Sequence, residues 1–153
     1  MTRWESGPGL PGPLKPLLGS WVSPPDEQDA ASLRTTRTFR PFGEGWIELD
    51  ARWEMEDGGP YREIALYGPG SDGVLGFHSF TNDGKRSEGR LADGTDIHPD
   101  AIAFEAQMPA GAARVIYWPL EAGEGFNFAV ETRTTAGWNR LLLREFRPGP
   151  DPS

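Results

Sequence analysis

The sequence predicts an all-β fold: a single antiparallel up-and-down barrel of about ten strands, with at most one short helix. Three observations carry this. Apolar and polar residues alternate over many short runs, the pattern of a strand with one buried face. Asp-Gly and Ala-Gly pairs punctuate those runs (Asp57-Gly58, Asp72-Gly73, Asp83-Gly84, Asp93-Gly94 and Ala136-Gly137), as hairpins require. Every connection after residue 33 is short, so sequence neighbours pair antiparallel, and closure of the sheet on itself removes the exposed edges. A Greek-key sandwich would need a long return connection.

Taken in order, residues 1–16 are dominated by Gly and Pro and predict a flexible extended arm, packed across one barrel end through Trp4 or Leu14. Trp21 lies on the first strand. The segment 24–31 is the one place for a helical turn or two. Further strands are expected at 33–42, 45–56, 60–68, 73–81, 84–91, 100–108, 112–119, 124–134 and 137–146. Alternation is clearest where Ile47, Leu49, Ala51, Trp53 and Met55 share a face, and again for Ile102, Phe104, Ala106 and Met108. The barrel domain thus spans 17–147, and the Pro/Gly-rich tail 148–153 is expected to be disordered.

Composition narrows the function. A net charge of −8 argues against nucleic acid and against an anionic membrane face. The absence of cysteine excludes disulfides and thiolate chemistry. No apolar leader or membrane-length run is present, which predicts a soluble cytoplasmic protein.

The run Leu17-Leu18-Gly19-Ser20-Trp21 ahead of antiparallel strands resembles the Gly-x-Trp signature of the calycin superfamily, which includes lipocalins and fatty-acid-binding proteins. Within it the chain is most similar to bacterial DUF1579-type lipocalin-like proteins of unknown function. The similarity rests on Leu-x-Gly-x-Trp at the start, Gly45-Trp46, the run 78–84, and Gly137-Trp138 leading to Arg147. It implies a barrel closed by Gly19 and Trp21, with a basic residue of the last strand, Arg144 (or else Arg147), across the indole.

Candidate chemistry is sparse. His78 is the most interesting polar residue, mid-strand with Val74, Gly76 and Phe80 on its face. On an inward face it could hydrogen-bond, act as acid or base, or ligate haem. Its neighbour Ser79 points the other way, and no Gly-x-Ser-x-Gly is present. His98 belongs to a loop, and the spacing of Asp93, Asp96 and Asp100 matches no metal loop. The nitrobindin-like calycin relatives take their haem ligand from a late strand, and this chain has no His after residue 98, so no cofactor is expected. The strand carboxylates Glu48, Asp50, Glu54, Glu63, Glu105 and Glu131 are mostly outward by alternation.

The aromatic surplus is the most informative remainder, and it points to a cavity for a small ligand. Non-enzymatic binding of a small hydrophobic or amphipathic molecule is therefore expected. The lining would be Trp53, Tyr67, His78, Phe80, Phe104, Tyr117 and Phe128. Two alternatives stay open: a barrel enzyme of isomerase or lyase type using His78 with a carboxylate, and a structural or interaction module with a filled barrel. Strands 112–119 and 137–146 are apolar on both faces, which predicts a homodimer packed wall to wall.

Overall fold

Ten strands follow one another with almost no helix in the computed structural model, which describes residues 4–25, 32–55, 59–108 and 111–152. They are β1 Gly19–Ser23, β2 Ser32–Pro41, β3 Ile47–Met55, β4 Tyr61–Pro69, β5 Leu75–Thr81, β6 Arg86–Ala92, β7 Ile102–Met108, β8 Gly111–Pro119, β9 Phe126–Thr134 and β10 Gly137–Pro148. Each pairs antiparallel with its sequence neighbours, and β1 pairs with β10 to close the cylinder. The glycines of three expected turns, Gly73, Gly84 and Gly137, have φ of 77°, 86° and 123°, values that favour glycine. The helical turn expected at 24–31 lies largely outside the described residues. Among the described residues no helix is long and apolar enough to cross a membrane.

One end of the cylinder is sealed. The N-terminal arm, expected to be extended, instead forms a 3-10 helix at Gly12–Leu17, started by prolines whose fixed φ suits a helical turn. Leu14 and Leu17 on it are fully buried. Trp21 donates from Nε1 to the Leu17 carbonyl at 2.7 Å and packs edge-on against Phe126, ring centroids 5.1 Å apart. Phe126 stacks in turn on Phe146 at 5.2 Å. Trp4 reaches the backbone oxygen of Asp100 at 2.7 Å, so the arm is tied down across this end. The tail is held as well: Gly149 N–H donates to Ser20 O, and Asp151 pairs with Arg40 at 3.4 Å.

On the outer wall the two strands read as apolar on both faces, β8 and β10, differ. The apolar outer side of β8 is covered by the chain's own 93–101 segment. Ile97 and Ala101 pack against Ala103, Ile116 and Ala129 there, together with Trp118 from β8 itself. That strand therefore gives no reason for a second copy. The cover is pinned by Arg114, which is buried on the outer face, takes Asp96 through two nitrogens at 3.0 and 2.7 Å, and bonds Glu131 at 2.8 Å. Trp138 lies over the same guanidinium at 4.4 Å. On β10 a bulge between Arg140 and Leu142 turns Leu141 out, and Leu141 and Leu143 stay exposed.

Asp50, buried on the outer face of β3, accepts bonds from Arg52 and Arg62, each with a contact at 2.9 Å. Burial alone would raise its pKa, but these two arginines outweigh it and hold it below the usual carboxylate value. A depressed pKa stabilises the fold above the unfolded value and loses that contribution as pH falls through the folded one. Stability should therefore drop as pH falls below about 4, and Asp50→Asn should flatten that drop in urea titrations run across acid pH. At the sealed end, Leu17→Ala should cost about 2–5 kcal/mol with an unchanged denaturant slope.

Candidate functional site

Strand parity decides which side chains meet inside. On β2 the register Gly19↔Phe39, Trp21↔Arg37 and Ser23↔Thr35 puts Thr35, Arg37 and Phe39 on the face that Trp21 shares. The same ladder continues through Ala51 to Glu63 and through Trp53 to Tyr61. Ala65 pairs with Ser79 and Tyr67 with Phe77, so these four also face in. From the far wall come Phe104, Val115, Tyr117, Phe128, Val130, Leu142 and Arg144.

The inward face changes character along the axis. Toward the sealed end it is packed solid with rings: Phe39–Tyr117 at 5.8 Å, Tyr67–Phe104 at 5.0 Å and Tyr117–Phe128 at 5.1 Å. Toward the other end Trp53, Ala106, Val115, Val130 and Leu142 are only partly buried, although they pack against the same core. The inward face thus grades from a packed aromatic end to a partly exposed apolar one.

A polar cluster sits where the two halves meet. Arg37 is only 2% exposed. Its Nη2 donates to the Tyr117 hydroxyl at 2.7 Å, and its guanidinium lies 4.2 Å from the Phe128 ring centre and 5.6 Å from those of Trp53 and Tyr117. Rings around a desolvated guanidinium contribute ~2 kcal/mol, well short of the several it costs to bury the charge. Burial disfavours the Arg37 charge, yet the oxygens of Tyr117, Glu63 and Tyr67 outweigh it and hold its pKa above the ordinary arginine value. Burial pushes the phenols of Tyr67 and Tyr117 up, so both stay neutral. Glu63, half-buried, accepts a hydrogen bond from Ser79 Oγ. Among the described residues, Arg37 Nε and Nη1 and the Thr35 hydroxyl have no hydrogen-bond partner.

Of the residues expected to line the interior, Trp53, Tyr67, Phe104, Tyr117 and Phe128 face in. His78 and Phe80 do not. The inward set of β5 is Leu75, Phe77 and Ser79, so His78 stands on the outer wall 3.4 Å from Glu88, and Phe80 is 50% exposed. The strand carries an aromatic on each face, and alternation alone could not say which points in. Glu63 is the converse correction: it faces in, opposite Ala51. Asp50 and Glu131 do point outward, but each is buried beneath arginines. Of the closure set, Gly19 starts β1 and Trp21 plugs the end, while Arg144 bonds Ser23 Oγ at 3.2 Å and the Pro24 carbonyl at 2.8 Å. His98 accepts the Asp100 N–H in the loop, and Asp96 is spent on Arg114. Among the described residues, no group of His, Cys, Asp or Glu gathers to hold a metal.

Arg37 was the residue sequence reasoning missed. Ser32–Pro41 carries three arginines and several threonines, so its two faces look alike. The signal that could have found it is Phe39, whose parity puts Arg37 on the inward face and leaves Arg34 and Arg40 outside.

No protein-family model matches the chain, and no curated protein sequence matches it.

If the Arg37–Tyr117 bond matters to the fold, Tyr117→Phe strands a buried charged donor and should cost ~1–3 kcal/mol. Urea denaturation of the two proteins measures this, and an unchanged midpoint would show the bond to be energetically idle.

Proposed function

We propose that this protein is a lipocalin-like barrel of the calycin type that holds a small amphipathic molecule without transforming it. The observation that supports this reading most is the graded interior. Apolar side chains on the inward face, Trp53, Val115, Val130 and Leu142, stay partly exposed at one end of a cylinder whose other end is sealed by Leu14, Leu17 and Trp21. Apolar surface kept accessible within a concave wall is favourable ground for a ligand's apolar body. Polar groups near the floor would fix its orientation.

The enzyme alternative relied on His78 as an interior acid or base. With His78 on the outer wall beside Glu88, that chamber has lost its central group.

The test uses N-phenyl-1-naphthylamine, a neutral probe whose fluorescence rises in apolar surroundings. It should bind at one molecule per chain. Val130→Trp, which fills the rim, should weaken binding at least tenfold, whereas His78→Ala should leave it within twofold. Absence of binding to the unaltered protein, or equal effects of the two variants, would refute the reading.

A further inference from the structure

Of the two strands apolar on both faces, β10 keeps its outer face uncovered. Leu141 and Leu143 stand there 61% and 42% exposed. They lie two residues apart on one strand and so form one apolar patch. Beside them are Ala129, which pairs with Leu143, and Trp118, which packs against Ala129 from β8.

A register shift sets unlike charges at the two ends of this patch. Arg140 pairs with Glu131 and Leu142 with Val130, so Leu141 is the extra residue of a bulge. Strict alternation would send Arg140 and Leu141 to opposite faces; the bulge keeps both outside. Arg140 gives Nε to Glu131 at 2.9 Å, and its guanidinium lies 5.5 Å from the Trp118 ring centre. Toward the same end, Arg133 lies 5.3 Å from the ring centre of Trp138. At the other end Glu145 is exposed and has no ion-pair partner among the described residues. Along the strand the outer face therefore reads cation, leucine, leucine, anion.

That order is self-complementary. Turned end for end on a second copy, it reads anion, leucine, leucine, cation. A copy running in the opposite direction sets Leu141 beside Leu143 and Arg140 against Glu145, twice, about one two-fold axis near Leu142. A copy running in the same direction sets like charges together.

We propose that this protein forms a two-fold homodimer through the outer face of β10, with Leu141 of each copy packed on Leu143 of the other and Arg140 paired with Glu145 across the axis. Withdrawal of the leucines from water drives the association, and the exposed ion pairs, individually weak, fix its orientation. Two leucines alone bury far less than the ~800 Å² per partner of a standard interface, so the dimer is a weak one, with Kd on the order of 10 µM. The inference stands apart from whatever the interior holds.

Sedimentation velocity from about 1 to about 300 µM should show monomer giving way to dimer. Leu143→Lys, at an exposed position, should keep the thermal midpoint and weaken association at least tenfold. Glu145→Lys should weaken it at least threefold and remove its salt dependence. Phe80→Lys, at an exposed position on the outer side of β5, should leave association unchanged. Because the chain has no cysteine, an oxidised mixture of Leu141→Cys and Leu143→Cys proteins should give more disulfide-linked dimer than either variant alone. A monomer throughout the range, or a dimer indifferent to Leu143→Lys, overturns the proposal. Equal cross-linking by the separate variants overturns the opposed strand direction. A monomer that binds phosphatidylcholine vesicles through Leu143 overturns it as well and gives the face to lipid.

Discussion

The cylinder depends on the seam between its first and last strands. There β1 and β10 meet through only two register pairs, Trp21 with Pro148 and Val22 with Arg147, the shortest ladder in the barrel. Side chains reinforce what the backbone leaves thin. Arg144 reaches from β10 to the exit of β1 at Ser23 and Pro24, and Gly149 adds one more backbone bond to Ser20. Trp21 ties the same strand to the 3-10 helix beneath it. Without that seam the sheet would have two free edges, and the inward aromatic faces would face solvent. The Leu-x-Gly-x-Trp run and the basic end of the chain therefore serve one purpose, though they lie at opposite ends of the sequence.

The fold was legible because its signals are local. Hairpin glycines, short connections and period-2 alternation act within a few residues of each other, and the strands inferred from them fall within about two residues of those observed. What the sequence did not display was sidedness. On β5 an aromatic sits on each face, and on β2 arginine and threonine recur on both. A one-residue difference in parity exchanges the inside for the outside. That is why His78 and Phe80 face outward, and why Arg37 and Glu63 face the interior. Long-range register, which depends on all ten ladders together, settles the parity of each strand.

Burial on the outer wall followed a different logic. The outer side of β8 looks from its sequence like an interface, yet the chain folds its own 93–101 segment over Ile116 and the neighbouring Ala129 and fastens it with Arg114, Asp96 and Glu131. The same guanidinium lies under Trp138. A strand apolar on both sides must be covered on both sides, but the cover can be a loop of the same chain when a charged clasp holds it there. Arg114 and Arg37 are both buried arginines, and they differ in completeness. The outer one is met by two carboxylates, the inner one by a single phenol oxygen.

The division of the cylinder into a plugged base and an accessible rim separates two kinds of evolutionary freedom. Substitutions at the base disturb packing among Leu14, Leu17, Trp21, Phe126 and Phe146, and the whole molecule bears the loss. The turns between β5 and β6 and between β9 and β10 lie at the opposite end, with their side chains largely in solvent. Descendants of such a chain could rewrite those turns alone, while the ladders beneath stay the same.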